Sequence, residues 1–425
     1  MKKTLALFLA ILFVFGSFGG AFAGSVAEQG KTETSETLKA TYSGHCGANL
    51  TWMLDTETGL LQISGTGDMY DTWTWSNNAP WYSYRENIFN VMISSGVTSI
   101  GTCAFYQCTS LISVTIPEGI TRINSLAFDS CSSLTSVIIP DNVTRLGNNV
   151  FDGCTSLTSV TIGSGVTSIG YGTFYGCTSL TSLTIPDSVE SIGKIVFANC
   201  SSLTAINVSA GNQVYSSLDG VLFNKDRSML ICCPGGKVGT YSIPNSVTSI
   251  GESAFHSCRL LNSVTIPDSV TSIGESAFYR CHLLTSVTIP DRVTSIDKYA
   301  FYDCTSLTSA VFLGATPSTF GTSVFKYCAS DFCIYYTVEH VSEWAPNGET
   351  TWNDYPIRLL GEEPAYGDVD CNGEVTMADV TLLAMYLNGE NPEISAQGMI
   401  NANANLDGGV DIRDIAAIYE IISNS

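Results

Sequence analysis

The chain has 425 residues, of which only 13% are charged, and its formal net charge at neutral pH is −21. About half of that excess lies in residues 362–425, which hold twelve acidic residues and a single arginine. Proteins that bind nucleic acid or anionic membranes need clusters of lysine and arginine. The composition therefore excludes both classes of partner.

The first 23 residues have the three parts of a secretory signal peptide. Two lysines precede an apolar run from Leu5 to Phe15, and Ala21-Phe22-Ala23 is typical of a cleavage site. No other stretch approaches about 18 uninterrupted apolar residues, the length of a membrane-spanning helix. We therefore expect a secreted, extracellular chain without a transmembrane segment, whose mature form starts with a disordered polar leader at 24–37.

Residues 38–96 differ in composition, and we interpret them as an N-terminal β cap. Short alternating runs such as LTWMLD and LLQISGTG are broken by Gly and Asn, a pattern typical of β-hairpins. The segment contains four tryptophans, at Trp52, Trp73, Trp75 and Trp81. They are either core residues of a cap that shields the end of a repeat array or an aromatic platform that stacks on a sugar.

From residue 97 to residue 309 one phrase recurs, and VTSIGESAFYRCHLLTSVTIPDR is its clearest copy. Its phenylalanine returns every 23 residues, with one gap, at Phe105, Phe128, Phe151, Phe174, Phe197, Phe255, Phe278 and Phe301. A fixed period of this length indicates stacked units that bury their apolar faces against one another. The sequence thus predicts a mainly β solenoid with a ladder of parallel strands.

Each part of the phrase has a predicted place in the repeat. LTSVTIP alternates apolar and polar residues like a strand, Pro-Asp-Ser forms a turn, and VTSIG adds a second short extended piece. The segment AFxxC then turns the corner with its Phe and Cys inside. The gap in the period predicts an inserted hairpin at about 207–243, and the decay of the pattern predicts a C-terminal cap at 310–361.

Nine of the fifteen cysteines share one repeat position, three residues after the phenylalanine: Cys108, Cys131, Cys154, Cys177, Cys200, Cys258, Cys281, Cys304 and Cys328. Exported proteins ordinarily pair their cysteines, but nine equivalent positions cannot all bridge to their neighbours. We interpret this column as reduced, buried thiols, with scattered disulfides as the alternative.

The phrases VTSIGESAF and LTSVTIPDSV resemble the BspA-like class of leucine-rich repeat, over roughly residues 40–360. The resemblance implies a leucine-rich-repeat solenoid in a secreted or surface-exposed binding protein, of a kind often linked to adhesion. It does not imply a particular ligand.

After a short linker at 362–366, residues 367–425 contain two copies of a calcium-loop pattern, 35 residues apart. Ca²⁺ takes about six to eight oxygen ligands, which alternate residues of a tight loop supply. The predicted ligands are Asp368, Asp370, Asn372, Glu374, Thr376 and Asp379 in the first copy, and Asn403, Asn405, Asp407, Gly409, Asp411 and Asp414 in the second. Because Asn403 stands where the first loop has an acidic residue, we expect the second of the two sites to bind more weakly.

Apolar residues at helical spacing follow both loops in the same register, at Val380, Leu383 and Leu387 and again at Ile415, Ile418 and Ile422. This duplicated loop–helix unit resembles a type I dockerin, a small all-α module. The resemblance implies calcium-dependent folding and attachment to a cohesin module of a scaffoldin in a cellulosome-like complex. It also implies partner recognition by loop positions 10 and 11, which are Met377, Ala378, Ile412 and Arg413. These residues differ between the two halves, which argues against symmetric docking in two orientations.

The position directly after each repeat phenylalanine varies, and we name these positions the variable row. Its aromatic members form the candidate ligand face: Tyr106, Tyr175, His256, Tyr279 and Tyr302. Stacked aromatic side chains can hold a sugar or a peptide, although the same residues can equally form an ordinary solvated surface.

No catalytic constellation accompanies the repeats. Their recurring Asp residues are explained by the Pro-Asp turns, and the four histidines lack the neighbours of a nucleophile or zinc motif. We therefore interpret the chain as a non-catalytic binding or adhesion protein. The alternatives are a carbohydrate-active enzyme for polysaccharide degradation in a cellulosome, with its catalytic residues in the cap or the insert, and a structural spacer.

Overall fold

The computed structural model describes residues 41–74, 78–360, 375–389 and 410–424, together with positions 369, 394, 402 and 404. The predicted signal peptide, the leader, Trp75, the linker and eight of the twelve predicted calcium ligands lie outside this part of the chain. Among the helices that are described, none is both long enough and apolar enough to cross a membrane.

The predicted fold class is confirmed, because the chain forms a mainly β solenoid of about 12 turns with few helices. One strand of each repeat comes from the LTSVTIP segment. These strands are β7 (Ser113–Thr115), β9 (Ser136–Ile138), β11 (Ser159–Thr161), β13 (Ser182–Ile185), β15 (Ala205–Val208), β21 (Leu261–Thr265), β23 (Ser286–Ile289) and β25 (Ser309–Phe312). Paired neighbours are parallel and shifted by one repeat, as Ser159 with Ser136.

The VTSIG segments form a second set of short parallel strands. They are β6 (Val97–Ile100), β8 (Arg122–Ile123), β10 (Arg145–Leu146), β12 (Ser168–Ile169), β14 (Ser191–Ile192), β20 (Ser249–Ile250), β22 (Ser272–Ile273), β24 (Ser295–Ile296) and β26 (Thr319–Phe320). In the first set, Val and Ile point inward and the Ser and Thr between them lie outside, as in β11 and β23. Threonines beside the strands of the second set donate to the carbonyl 23 residues earlier, as Thr144 Oγ1 does to Thr121 O. These surface hydroxyls therefore form hydrogen bonds between neighbouring turns.

The repeat phenylalanines form the centre of the core. All are buried, and their rings stack in two columns: Phe105 to Phe197 with centroids 5.0–6.0 Å apart, and Phe255 to Phe325 with centroids 4.7–5.2 Å apart. Near-parallel rings at these distances add to the free energy gained from burial. Each turn therefore depends on its two neighbours for its largest apolar contact.

The cysteine column lies beside the phenylalanines, and the cysteines that the structure describes are free thiols. Seven thiols of the column donate to the phenylalanine carbonyl of the preceding turn at 3.0–3.4 Å, as Cys131 Sγ does to Phe105 O. Burial raises the pKa of the Cys108 and Cys200 thiols to about 12. Because the thiolate is the reactive form of cysteine, these thiols are chemically quiet and serve as small core groups.

The N-terminal cap begins with an antiparallel meander of β1 (Thr41–Gly47), β2 (Leu50–Asp55) and β3 (Leu60–Gly65). Its remaining elements are β4 (Gly67–Asp68), a 3₁₀ helix (Tyr82–Asn87) and β5 (Asn90–Ile93), which joins β3 to β7.

The described tryptophans of this cap, Trp52, Trp73 and Trp81, are buried. Trp81 lies 5.6 Å from Phe105 in a stacked arrangement, and its Nε1 donates to Ala104 O at 2.8 Å. The indole thus occupies the next position of the phenylalanine column. Because these three tryptophan side chains are packed inside the cap, the structure favours their role as core residues over a platform that stacks on a sugar.

Where the period is interrupted, the chain forms β16 (Tyr215–Leu218), β17 (Val221–Asn224), β18 (Met229–Cys232) and β19 (Gly239–Ser242). The first three strands are antiparallel, and β18 then pairs in parallel with β20. Cys233 N donates to Ala254 O at 2.7 Å, the bond that the phenylalanine makes in a regular turn. The insert therefore includes a turn of the solenoid in which Cys233 replaces the phenylalanine.

The C-terminal cap continues the parallel ladder through β27 (Cys333–Tyr336) and β29 (Tyr355–Leu359), with β28 (Thr351–Trp352) antiparallel at the edge. A 3₁₀ helix (Val338–His340) and α1 (Val341–Trp344) cross between them. Trp344 is 1% exposed, and its Nε1 donates to Gly314 O at 3.0 Å. A tryptophan thus lies at each end of the solenoid core.

Among the described residues that follow the solenoid, two helices are present, α2 (Met377–Leu387) and α3 (Ile412–Asn424). Their shared core contains Val369, Val380, Leu383, Ala402 and Ile418, with Leu387, Ile415 and Ile422 packed at its margin. The six apolar positions predicted from the 35-residue offset therefore all contribute to one small core.

We expect Phe151→Ala to lower the free energy of unfolding by about 3–5 kcal/mol, because it leaves a cavity between two stacked rings. Urea denaturation followed by far-UV circular dichroism measures this loss. The matched control is Ile138→Ala, since Ile138 is 69% exposed and its removal should change stability by no more than about 0.5 kcal/mol. A loss below about 1 kcal/mol for Phe151→Ala would contradict the dependence of each turn on the column.

Candidate functional site

Three members of the variable row form a continuous stack at the C-terminal part of the solenoid. His256 lies 4.9 Å from Tyr279, and Tyr279 lies 5.2 Å from Tyr302, with nearly parallel rings. Tyr299 and Tyr327 contact Tyr302 edge-on at 5.5 and 5.1 Å. We name these five residues the aromatic stack. It brings together three of the five ligand-face residues predicted from the sequence.

Cations accompany this stack, although the chain as a whole is acidic. The Arg280 guanidinium lies 5.3 Å from the Tyr279 ring, and Lys326 Nζ lies 5.2 Å from the Tyr327 ring. Arg280 Nε also donates to Asp303 Oδ2 at 3.0 Å. Rings that lie beside a guanidinium or an ammonium group present both apolar and charged contacts to a partner.

The other two predicted ligand-face residues lie apart from the stack. Tyr106 stacks on Tyr82 at 6.4 Å, and the Tyr82 hydroxyl donates to Gln107 Oε1 at 2.8 Å. The Tyr175 hydroxyl accepts a hydrogen bond from Asn199 Nδ2. The five residues therefore form three separate features rather than one site.

Sequence reasoning missed Tyr82, Tyr299 and Tyr327. Tyr82 could have been found, because it follows Trp81 just as the variable row follows each phenylalanine. Tyr299 and Tyr327 have positive φ values of 61° and 62°, at positions two residues before and after the phenylalanine. The repeat pattern assigns neither position to the ligand face.

Two carboxylates, Asp129 and Asp152, occupy successive positions of the variable row between Tyr106 and Tyr175. Burial, with a smaller contribution from the charge of Asp152, raises the pKa of Asp129 to about 6, although a hydrogen bond from Ser130 opposes the shift. Burial also raises the pKa of Asp152, and Asn149 Nδ2 donates to its Oδ2 at 2.8 Å. Each carboxylate is thus held by a residue of its own turn.

The two C-terminal helices start in the same way. Thr376 N donates to Asp379 Oδ2 and Asp411 N donates to Asp414 Oδ2, both at 2.8 Å. Asp379 and Asp414 are both fully buried. The chain therefore places one buried carboxylate at the end of each predicted calcium loop, in equivalent positions 35 residues apart.

These carboxylates fit a calcium ion. Burying a charged carboxylate is costly unless hydrogen bonds or a cation compensate it, and the surrounding segment is acidic. Thr376 and Asp411 are the other described ligands, and Arg413 holds Asp411 through contacts of 2.5–3.0 Å. Among the described residues no three metal-binding side chains cluster, since the remaining predicted ligands lie outside them.

The predicted partner residues Met377, Ala378, Ile412 and Arg413 are all exposed, in the first turns of α2 and α3. Ile412 is 72% exposed and borders a groove of about 420 Å³ that the C-terminal part of α2 also lines. Exposed apolar residues beside a groove are suited to contact with another protein.

The model of the BspA type leucine rich repeat region matches residues 78–214 and 233–346, more than half of the chain. The chain belongs to this family of BspA-type leucine-rich-repeat proteins. The match stops and resumes around the insert, where Cys233 replaces the phenylalanine of the turn. A second model, the dockerin type I domain, matches residues 366–423, so this BspA-type protein also contains a dockerin. Type I dockerins bind calcium and have cohesins as partners.

Solved structures agree with the assignment to the BspA-type family. A leucine-rich repeat protein from Eubacterium ventriosum is 30% identical, with a TM-score of 0.63 over 70% of this chain and 79% of its own. A leucine rich cell surface protein from Faecalibacterium prausnitzii is 25% identical, with a TM-score of 0.50 over 74% of this chain and 98% of its own. The pneumococcal vaccine antigen PcpA, 18% identical, shares the fold with a TM-score of 0.50 over 76% of this chain and 99% of its own. No curated protein matches the chain.

The raised pKa of Asp129 gives a prediction about pH. The folded state holds the Asp129 proton up to about pH 6, whereas the unfolded chain loses it near 3.8, so this residue's contribution to stability falls as the pH rises through that window. We expect Asp129→Asn to raise the melting temperature at pH 7.5 and to have little effect at pH 3.5. The gain should not exceed about 1 kcal/mol, because solvent screens a half-buried carboxylate.

Thermal denaturation at the two pH values measures this difference. Asp268→Asn, at an exposed turn, is the matched control and should change the melting temperature little at either pH. A melting temperature for Asp129→Asn that is lower than wild type at pH 7.5 would contradict the assigned cause.

Proposed function

We propose that this chain is a secreted, non-catalytic binding or adhesion protein that is docked on a cohesin of a cellulosome-like scaffold through its calcium-loaded dockerin. The solenoid binds a protein or a glycan, and the docked chain acts at the cell surface or in the extracellular complex. The signal peptide at 1–23 and the domain limits predicted from the sequence are part of this proposal.

The proposal that the chain docks through its dockerin is supported by the same hydrogen-bonded, buried carboxylate at the start of both dockerin helices. Asp379 and Asp414 are both fully buried and both accept a hydrogen bond from the backbone amide three residues earlier. A pair of equivalent buried carboxylates in so small a core supports two Ca²⁺ sites, one in each loop. When bound, the ion would neutralise the carboxylates and link folding to metal binding.

The exposed residues Met377, Ala378, Ile412 and Arg413 form the proposed cohesin contact. Met377 and Ile412 offer apolar surface at equivalent places, whereas Arg413 adds a charge that Ala378 lacks. A partner that contacts one helix start would therefore meet a different surface at the other, which supports a preferred docking orientation.

We expect EDTA to abolish capture of the full chain by scaffoldin cohesins immobilised on beads, and added Ca²⁺ to restore it. Asp379→Asn removes a ligand charge but keeps an oxygen that can accept from Thr376 N. It should therefore weaken calcium binding, measured by calorimetry, by roughly tenfold or more while helix content is retained. Asp268→Asn in the solenoid should leave both measurements unchanged. Capture that persists in EDTA would refute the docking proposal.

The aromatic stack supports the binding role of the solenoid. Four of its five rings are half-buried and packed against neighbouring rings, and Tyr327 is exposed. A partner that contacts the half-buried rings has little side-chain entropy to remove. Aromatic residues and arginine dominate the binding energy of many interfaces, and Arg280 lies over Tyr279. The variable row is the part of the repeat that the packing of the stack leaves free to differ.

A panel of cell-wall proteins and glycans, probed with the full chain, should yield at least one ligand. We expect the double variant Tyr279→Ala and Tyr302→Ala to bind that ligand roughly tenfold or more weakly, since truncating a central aromatic costs about 2 kcal/mol. Tyr171→Ala is the control, because Tyr171 is exposed but lies outside the stack. A panel without any ligand would favour a structural spacer, and turnover of plant polysaccharide by the purified chain would contradict the non-catalytic role.

A further inference from the structure

The turn that contains Cys233 is shorter than the others where it passes beneath the variable row. Leu230 pairs with Ile250, and Tyr241 pairs with Val264. Tyr241 therefore lies eleven residues after Leu230, whereas in the next turn Val264 lies fourteen residues after Ile250. Two of the three missing residues precede the phenylalanine position, since Leu230 lies three residues before Cys233 whereas Ile250 lies five residues before Phe255. The third is missing at the register shift between Gly239 and Thr240.

A slot opens in the variable row at this place, with a volume of about 130 Å³. It is lined by Ala198 of the preceding turn, by His256 of the following turn, and by the apolar residues Leu222, Ile231 and Cys232. Ala198 is the smallest residue of the row, whose other members are Tyr, Asp or His. The slot therefore results from two local departures from the repeat, the shortened turn and the small side chain.

Polar bridges cross the slot from turn to turn. Lys194 Nζ lies 2.5 Å from Glu252 Oε2, and Arg259 donates to Asn199 Oδ1 at 3.5 Å. Both bridges join the turn of Phe197 to the turn of Phe255, on either side of Ala198 and His256 in the sequence. They link the two turns that border the slot.

His256 gives the slot an aromatic wall. Its ring stacks on Tyr279 at 4.9 Å, and because the shortened turn lies on its other side, the opposite ring face is directed toward the slot. Burial, with smaller contributions from Arg280 and Arg259, lowers the pKa of His256 to about 4. At neutral pH the wall is therefore an uncharged imidazole at the end of the stack.

We propose that the slot binds one aromatic ring, a Tyr or Phe side chain of a protein partner, which stacks on His256 and extends the aromatic stack by one position. The two flanking turns are two strand spacings apart, about 10 Å. A ring midway between them lies at the spacing of the rings already stacked.

The size and the lining of the slot support this choice of ligand. An apolar cavity of about 150 Å³ binds benzene, whereas sites for larger ligands measure about 300–1,000 Å³. A space of about 130 Å³ with apolar residues in its lining thus suits one ring and is too small for an oligosaccharide. This inference rests on the proposed binding role of the solenoid and names the chemistry of its partner.

The probe is p-cresol, the free equivalent of a tyrosine side chain, titrated into the full chain labelled at isoleucine methyl groups. Ile195 and Ile231 line the slot, so we expect their methyl resonances to shift in a saturable way while that of the exposed Ile138 stays in place. Ala198→Tyr fills the slot with a residue that the row tolerates elsewhere, and it should weaken p-cresol binding roughly tenfold or more. Asp152→Tyr introduces the same side chain in the row outside the slot and should leave binding unchanged.

Unfolding by urea establishes that both variants are folded before they are compared. Shifts that are absent at Ile195 and Ile231, or that survive Ala198→Tyr, would overturn the slot proposal. The ligand panel separates this result from the proposed function, because a panel ligand that binds wild type and Ala198→Tyr equally would retain the binding role and reject the slot. A panel ligand that is a glycan and competes with p-cresol would also reject a protein side chain as the occupant.

Discussion

The structure depends on a phenylalanine that no turn can bury by itself. Inside each of the two columns, a ring is covered by the ring of the turn before and the ring of the turn after, at 4.7–6.0 Å. The columns are separated at the turn that carries Cys233. In seven places the cysteine thiol of the following turn also donates to the phenylalanine carbonyl, which ties the two turns together through the backbone as well. Because these contacts act only between neighbours, the stability of the solenoid is a sum over interfaces. Trp81 and Trp344 lie at the two ends of the core as large, fully buried rings. The indole N–H of each tryptophan donates a hydrogen bond to a backbone carbonyl.

These contacts between neighbouring turns divide the residues of a repeat into two classes. Positions that pack, turn or fill recur, and even the threonines of the surface are bonded to the preceding turn. Positions that do none of these things are free to vary, and the variable row is the clearest example. The same period that builds the core also places successive row residues about one strand spacing apart, which is a good distance for stacking aromatic rings. A stack of aromatic rings on the surface therefore forms, without any change in the backbone, where neighbouring row positions are aromatic.

The dockerin follows a different principle. The described part of its core consists of aliphatic residues, and the fully buried Asp379 and Asp414 carboxylates need compensation for their charge. A cation bound by the two loops would provide this compensation and would make the folded state conditional on the metal. The solenoid, in contrast, is stabilised by a dry column of rings and thiols that needs no ion. On this proposal, calcium controls where the protein is attached and leaves the binding surface of the solenoid intact.

Much of this protein was accessible from its sequence. The period of 23 identified the equivalent residues, because stacking in one dimension repeats the same contact at every step, and the 35-residue offset did the same for Val380, Leu383 and Leu387 with their counterparts. The sequence could not determine which row residues become neighbours across the insert, since this depends on the pairing of β18 with β20. It could not reveal that Cys233 occupies a phenylalanine position in a turn that is three residues short, because the repeat period does not extend through the insert. The repeat determined the solenoid and its aromatic row, whereas only the tertiary structure decided that Tyr106 and Tyr175 stand apart and that a slot opens beside His256, since both follow from distances between turns that are far apart in sequence.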